Sequence, residues 1–125
     1  MRYKPKNEKE IMCPLEYGLD IFGGKWKSRI ICVLSANDTM RYNEIKKELS
    51  NITDGVLAEM LKELVADGIV NREQYLEVPT RVEYNLTEKG NSVLTILQNI
   101  CQWSRDNTEE NLGKKLPPCK TCNQL

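Results

Sequence analysis

The sequence predicts an α+β fold formed by a single domain. Three observations predict it: short helical patterns fill the first half of the chain, the apolar spacing then changes to alternation, and a long helical pattern follows. A length of 125 residues is enough for one hydrophobic core, and 40% hydrophobic with 29% charged residues is typical of a soluble globular protein. We therefore expect one folded unit with polar ends.

Two helices are expected at the start of this unit. The first begins at Pro14, which suits a first helical position because it has no backbone N–H to leave unpaired. Its apolar residues follow at helical spacing: Leu15, Leu19 and Phe22. Gly23 and Gly24 end it, and a second helix then runs to the turn at Asn37. The predicted buried stripe of the second helix consists of Trp26, Ile30, Val33 and Leu34.

A third and a fourth helix follow, separated by a short turn. The apolar positions of the third are Tyr42, Ile45 and Leu49. Ser50 and Asn51 break it, and Thr53 or Asn51 can cap the fourth helix, which ends at Asp67 and Gly68. The residues of the fourth helix predicted to face the core are Leu57, Leu61, Leu64 and Gly68.

The outward face of the fourth helix is unusually smooth. It is predicted to consist of Gly55, Ala58, Glu59, Lys62 and Ala66. A solvated helix face normally carries more long charged side chains. Small residues let the helix backbone come close to another molecule, and an ordinary exposed face with a tolerated glycine is the alternative.

A β-hairpin and a long helix complete the domain. The β-prone runs are separated by LEVPT, which places Pro79 in the loop or at its edge. Thr87 caps the long helix, whose apolar residues cover more than one face. A small domain usually buries only one such face, so the second predicts a partner subunit in a homodimer. The predicted interface residues are Leu15, Leu19, Val93, Leu97, Ile100 and Cys101.

Together these elements predict a winged helix-turn-helix with additional N- and C-terminal dimerisation helices. Helices three and four form the helix-turn-helix, the hairpin forms the wing, and the fourth helix would lie in the major groove of double-stranded DNA. There Thr53 and Lys62 could donate to phosphates or bases, and Glu59 could accept from a cytosine amino group. Modules that bind only proteins also use this arrangement, so that alternative stays open.

The charge distribution favours DNA. Residues 25–49 carry six basic groups against three acidic ones, although the whole chain has a formal net charge of zero. Phosphate binding needs only a local basic patch, and Arg72 and Arg81 add positive charge on the hairpin. The predicted DNA-binding residues are Lys25, Lys27, Arg41, Lys46, Lys47, Thr53, Asp54, Gly55, Ala58, Glu59, Lys62, Thr80 and Arg81.

The residue types argue against an enzyme. The chain has no histidine, which excludes Ser-His and Cys-His catalysis and histidine metal sites. No phosphate-cradling glycine-rich loop is found, because Gly23 and Gly24 lie between two helical patterns and indicate a turn. We expect no catalytic residue and no cofactor.

Several segments carry a resemblance to a known family. They are CPLEYGLDIF at 13–22, GGKWK at 23–27, LKELVADGIV at 61–70 and EVPTRVEYNLTEKG at 77–90. With these segments the chain resembles the HxlR-type family of bacterial transcriptional regulators, relatives of MarR proteins, over about residues 13–106.

This resemblance implies a homodimer that binds a palindromic operator and dimerises through its terminal helices. It also implies recognition by the 53–66 helix and a minor-groove or backbone contact by the wing around Thr80 and Arg81. Asp54 and Gly55 at the start of the recognition helix depart from the family pattern, which leaves the operator sequence open.

Cys13 is the candidate redox-sensing residue. It precedes Pro14 at the N-cap of the first helix, where unpaired N–H groups and the positive end of the dipole favour the thiolate. In family members that this chain resembles, the cysteine before the proline senses electrophiles or oxidants, which implies the same role here. An inert cysteine packed near the dimer interface is the alternative. Cys32 and Cys101 are predicted to be structural thiols, with a cross-subunit contact open for Cys101.

The two ends complete the organisation. Residues 1–12 are predicted to be an N-terminal arm, 13–107 the folded domain, and 108–125 a flexible tail. The N-terminus has no apolar run, so no signal peptide and no membrane span are predicted, and we expect a cytoplasmic protein. Cys119 and Cys122 in the tail leave open a thiol-redox or metal-binding module, although four zinc ligands would need two tails from a dimer.

Overall fold

A computed structural model describes residues 12–108 of the chain. Within this range the elements are α1 (Pro14–Phe22), α2 (Gly24–Ala36), β1 (Met40–Arg41), α3 (Tyr42–Leu49), α4 (Asp54–Ala66), β2 (Val70–Tyr75), β3 (Arg81–Leu86) and α5 (Glu88–Asp106). The predicted α+β class is confirmed. Nearly all of the predicted N-terminal arm, and the tail cysteines Cys119 and Cys122, lie outside the described residues.

The three strands form one antiparallel sheet in the order β1-β3-β2. The predicted hairpin is present as β2 and β3, paired from Val70 opposite Leu86 to Tyr75 opposite Arg81, with residues 76–80 in the loop. Because α3, α4 and this hairpin follow one another directly, the chain places a wing immediately after a helix-turn-helix.

The short strand β1 is an addition to the predicted elements. Met40 pairs with Tyr84, and Arg41 pairs with Glu83 on β3. Two residues are too few to show an alternating pattern, so the sequence assigns this segment to the start of the third helix. The strand fixes the start of α3 to the sheet and therefore to the wing.

The core lies between α2 and the elements that surround it, since α2 contacts α1, α3, α4, α5 and β3. Ile30 and Ile31 of α2 are fully buried, as are Leu57 and Leu64 of α4. Burying an aliphatic side chain of this size contributes about 1.5–3 kcal/mol relative to leaving it exposed. α2 is therefore the common support on which the helix-turn-helix and the terminal helices are positioned.

The predicted threonine caps are both present. Thr53 Oγ1 accepts a hydrogen bond from the backbone N–H of Val56 at 3.3 Å, so α4 uses Thr53 rather than the alternative cap. Thr87 Oγ1 accepts from the backbone N–H of Gly90 at 2.9 Å and donates to the carbonyl oxygen of Gly68 at 2.6 Å. This second cap also ties the start of α5 to the chain that enters β2.

Close packing holds α5 against the sheet. A Cβ atom at Gly90 would lie 2.2 Å from the carbonyl oxygen of Ile69, so only glycine fits there.

The α5 helix has 19 residues. None of the helices formed by residues 12–108 combines the length and the apolar character needed to cross a membrane.

Candidate nucleic-acid interface

The orientation of α4 agrees with its sequence pattern. Leu57, Leu61 and Leu64 are buried in the core. The residues on the opposite side, all exposed, are Gly55, Ala58, Glu59, Lys62 and Ala66. No atom lies within 4 Å of the position that a Cβ at Gly55 would occupy. We call this open side of α4 the α4 ridge.

Two residues of α3 hold the start of α4. Lys46 Nζ lies 2.9 Å from Asp54 Oδ1. The Tyr42 hydroxyl lies 3.2 Å from the same oxygen and 3.1 Å from the backbone carbonyl oxygen of Asp54. The hydrogen bond from Lys46, followed by that from Tyr42, lowers the pKa of the Asp54 carboxyl below its usual value. The two helices of the helix-turn-helix are thus joined by charged and polar contacts at the point where α4 begins.

Several predicted phosphate contacts have exposed side chains. They are Lys25, Arg41, Lys47 and Lys62. Lys25 Nζ lies 4.7 Å from the centre of the Trp26 ring, and the Arg29 guanidinium lies 4.9 Å from it, so both cations are held by one aromatic side chain. These four cations are therefore accessible to a charged partner.

Lys27 is a correction to the predicted DNA contacts. Its side chain is 5% exposed, and its Nζ lies 2.6 Å from Glu63 Oε1 on α4. The same Nζ donates to the backbone carbonyl oxygen of Asp20 at 3.2 Å. Lys27 is therefore buried and paired, and it cannot reach a phosphate without leaving the interior.

The wing presents less positive charge than its sequence suggests. Arg81 Nη2 lies 3.0 Å from Glu77 Oε2, and Arg81 Nη1 lies 3.2 Å from Glu83 Oε2. The guanidinium also stacks 4.1 Å from the centre of the Tyr75 ring. Thr80 is exposed beside it. Arg81 can reach DNA only by exchanging a carboxylate for a phosphate.

Both α1 and α5 carry exposed apolar side chains, and we call these residues together the terminal-helix face. Its exposed members are Leu15, Leu19, Ile96, Ile100 and Trp103. Two predicted interface residues do not belong to it, because Val93 and Leu97 are only 5% and 6% exposed and pack in the core of the same chain. Cys101 is half-buried beside it. The sequence pattern showed two apolar sides of α5, but helical spacing alone could not tell which side faces the core.

The thiols differ in their surroundings. Cys13 is exposed at the N-cap of α1, as its position before Pro14 predicts. Cys32 is half-buried and packs against the core, in agreement with a structural role. Cys13 is therefore the most accessible of the three cysteines within residues 12–108.

The site consists of a helix-turn-helix, the wing that follows it and the terminal-helix face. Comparison with known proteins gives the family of the chain. A family model described as an HxlR-like helix-turn-helix matches residues 21–112. The chain belongs to this family. The resemblance seen in the sequence and the winged helix-turn-helix fold are both confirmed.

Individual relatives agree with the family. A helix-turn-helix transcriptional regulator of Methanothermobacter thermautotrophicus is 44% identical over 110 residues, which cover 86% of this chain and 83% of that protein. The redox regulator HypR in its oxidised form has a TM-score of 0.70 and 40% identity, with coverage of 78% of this chain and 99% of HypR. The reduced form of the regulator YodB from Bacillus subtilis has a TM-score of 0.70 and 36% identity, with coverage of 80% and 98%. This protein is therefore a transcriptional regulator of the HxlR type.

Proposed function

We propose that this regulator binds a palindromic operator as a homodimer, with the α4 ridge in the major groove, and that Cys13 makes the binding sensitive to oxidants or electrophiles. The observation that carries the DNA-binding part is the open α4 ridge, whose helix is anchored in the core by Leu57, Leu61 and Leu64. A protein with this role would act in the cytoplasm, as its sequence predicts.

Base recognition is assigned to the α4 ridge. Gly55 and Ala58 allow the helix backbone to approach base edges closely, since neither places a long side chain on the surface. Glu59 and Lys62 are exposed on the same side and offer an acceptor and a donor to bases or phosphates. Replacing a residue that contacts a base should therefore change which operator bases matter.

Phosphate contacts are assigned to the exposed cations. The exposed cations that could contact phosphates are Arg41, Lys47 and Lys25. Each phosphate contact releases counterions from the DNA, so the affinity for DNA should fall as the salt concentration rises. Lys46 is paired with Asp54, and Arg81 is paired with Glu77, so both should contribute less to the salt dependence.

The terminal-helix face supports the homodimer. Trp103, Leu15 and Ile100 are 67%, 67% and 51% exposed, and large apolar side chains are more stable against a partner surface than in water. A second copy of the same face would cover it through a two-fold axis. Two recognition helices related by such an axis would meet half-sites about one helical turn apart, which explains a palindromic operator.

Cys13 connects chemistry with this interface. It lies directly before α1, the helix that carries Leu15 and Leu19 of the terminal-helix face. When two thiols form a disulfide, they give two protons and two electrons to an oxidant such as diamide, which is reduced to a hydrazine. An adduct or an intersubunit disulfide at Cys13 would shift the packing of α1 and hence the spacing of the recognition helices. The similar proteins favour this role, since HypR is a redox regulator and YodB has a reduced form.

Selection of bound fragments from the source genome tests DNA binding. We expect the protein to enrich fragments that share an inverted repeat, with affinity for the repeat well above that for a shuffled duplex of the same length. A protein that enriches no fragment would instead support the alternative of a winged helix used for protein contacts.

Redox sensing is tested in a full-length chain with Cys119→Ser and Cys122→Ser, so that only Cys13, Cys32 and Cys101 can react. We expect diamide or a quinone to change operator affinity in this chain and not in the same chain with Cys13→Ser. Equal responses would end the sensor role and leave the DNA-binding role intact.

A further inference from the structure

We propose that Asp54 is a specificity-determining residue whose carboxylate accepts a hydrogen bond from an exocyclic amino group of an operator base. In the major groove this amino group is N4 of cytosine or N6 of adenine. The inference rests on the proposed function, because it requires α4 to lie in that groove.

The position of Asp54 suits a base contact. It is the first residue of α4, and its side chain is 71% exposed. In helix-turn-helix proteins the N-terminal residues of the recognition helix contact base edges. The adjacent Gly55 leaves open space beside it, and the preceding Thr53 already uses its hydroxyl oxygen to accept from Val56. Asp54 is thus the polar group best placed at the leading end of the helix.

The orientation of the carboxylate is fixed by α3. Both Lys46 Nζ and the Tyr42 hydroxyl approach Oδ1, and neither contact uses Oδ2. Burial, with the hydrogen bond to Asp54, raises the pKa of the Tyr42 hydroxyl, so it stays a proton donor. Two donors that hold one oxygen leave the other available as an acceptor in a set direction. A side chain held in this way loses less conformational entropy when it binds.

Charge compensation allows this carboxylate near DNA. An uncompensated carboxylate at the start of a recognition helix would be repelled by the phosphates on both sides of the groove. Lys46, at 2.9 Å, supplies a compensating positive charge. Glu59 is also exposed on α4, but it has no ion pair with any residue from 12 to 108 and more freedom about its side-chain bonds. Asp54 should therefore discriminate between bases more sharply than Glu59.

The chemistry of the carboxylate determines which bases are accepted. An ionised carboxylate only accepts hydrogen bonds. It can pair with the amino group of cytosine or adenine, and it is repelled by O6 and N7 of guanine and by O4 of thymine. An asparagine in its place both donates and accepts, which suits adenine. Asp54→Asn should therefore shift the preference toward adenine rather than abolish it.

The experiment compares operator preferences of full-length variants. Wild type, Asp54→Ala and Asp54→Asn each select from randomised duplexes, and their affinities are then measured for duplexes with each of the four base pairs at every half-site position. Glu88→Ala is the matched control, because Glu88 is likewise an exposed carboxylate at the first residue of a helix, at the start of α5. Circular dichroism confirms that each variant is folded.

We expect wild type and Glu88→Ala to prefer one of the four base pairs over the other three, by about tenfold, at one position in each half-site. Asp54→Ala should bind all four base pairs at that position within about twofold, with its other preferences unchanged. The base that is enriched distinguishes cytosine from adenine as the partner.

Two further variants test the positioning by α3. Tyr42→Phe and Lys46→Met should each reduce the discrimination at the Asp54 position and leave the other positions unchanged. A merely structural role for these residues would weaken binding to all sequences equally.

The two proposals fail in distinguishable ways. A wild-type protein that selects no operator overturns the proposed function. A wild-type protein that selects an operator, while Asp54→Ala keeps the same preference at every position, overturns the role of Asp54 alone.

Discussion

Two ion pairs hold α4 against neighbouring helices, and they differ in their surroundings. Lys27 and Glu63 lie 2.6 Å apart with side chains 5% and 23% exposed, so this pair belongs to the interior. Lys46 and Asp54 lie 2.9 Å apart with side chains 38% and 71% exposed, so this pair lies on the surface. The same chemistry therefore serves the fold in one pair and remains accessible to a partner in the other.

The difference shows that residue type does not decide the role of a lysine. The interior pair joins α2 to α4, and it also connects to α1, because Lys27 donates to the Asp20 carbonyl. Losing one member of a buried pair leaves a charge without compensation, whereas an exposed charge is solvated by water. The interior pair should control stability, and the surface pair should control DNA recognition.

The largest expected effect is on stability. Lys27→Met should lower the free energy of unfolding by about 3 kcal/mol, because it removes the ammonium group that is paired with Glu63 in a largely buried site. Lys46→Met is the matched variant and should lower the free energy of unfolding by clearly less. Urea unfolding at one fixed protein concentration measures both. An equal loss of unfolding free energy in the two variants would show that the interior pair stabilises the fold no more than the surface pair does.

A second contrast between buried and exposed positions concerns α5. Ile100→Glu should give a folded monomer, because Ile100 is 51% exposed on the terminal-helix face. Leu97→Glu should instead unfold or aggregate the chain, because Leu97 is 6% exposed and packs in the core. Sedimentation with circular dichroism separates the two results. An Ile100→Glu protein that is still dimeric at micromolar concentration would remove the terminal-helix face as the interface.

Salt dependence compares two neighbouring lysines of α3. Lys47→Ala should lower the slope of log affinity against log salt by about one, because its exposed charge is available to a phosphate. Lys46→Ala should lower the slope by less, because Asp54 already compensates its charge. Fluorescence anisotropy at a series of salt concentrations measures both slopes. If Lys46→Ala gave the larger change, Lys46 would contact phosphate directly.

The smallest expected effect is a pH dependence of stability at the surface pair. Lys46 and Tyr42 lower the pKa of the Asp54 carboxyl in the folded protein. The stabilisation is therefore complete above the usual aspartate pKa of about 3.9 and is lost as the pH falls through the lowered value. Urea midpoints from pH 6 down to about pH 3 should converge for wild type and Asp54→Asn. A difference that stays constant over this range would show that the contact does not favour the carboxylate.

The sequence predicted the helices that have a clear apolar spacing or a strong N-cap residue. Thr53 and Thr87 cap helices as predicted, and Leu57, Leu61 and Leu64 face the core because their spacing follows the helix. Local signals of this kind involve neighbours in the chain. β1 was missed because a two-residue strand depends on its partner strand rather than on its own pattern.

The roles of charged and apolar surface residues were harder to predict. Lys27 was grouped with the basic segment because its partner Glu63 lies on a different helix, far away in sequence. Tyr42 was assigned to an apolar stripe, yet its hydroxyl contacts Asp54. The choice between Leu97 and Ile100 for the dimer face required the packing of α5 against the rest of the fold. Such contacts join distant segments and leave no periodic signal.

The facing of the α4 ridge toward DNA is the central claim, and Glu59→Ala tests it most directly. Glu59 is exposed on the ridge, away from the core and away from the ion pairs that hold the helix, so its loss should leave the fold unchanged. Operator selection with wild type and Glu59→Ala should show a changed base preference at one position in each half-site, at roughly 1–3 kcal/mol per lost base contact. Identical base preferences in the two proteins would contradict the claim that the ridge faces the bases at Glu59.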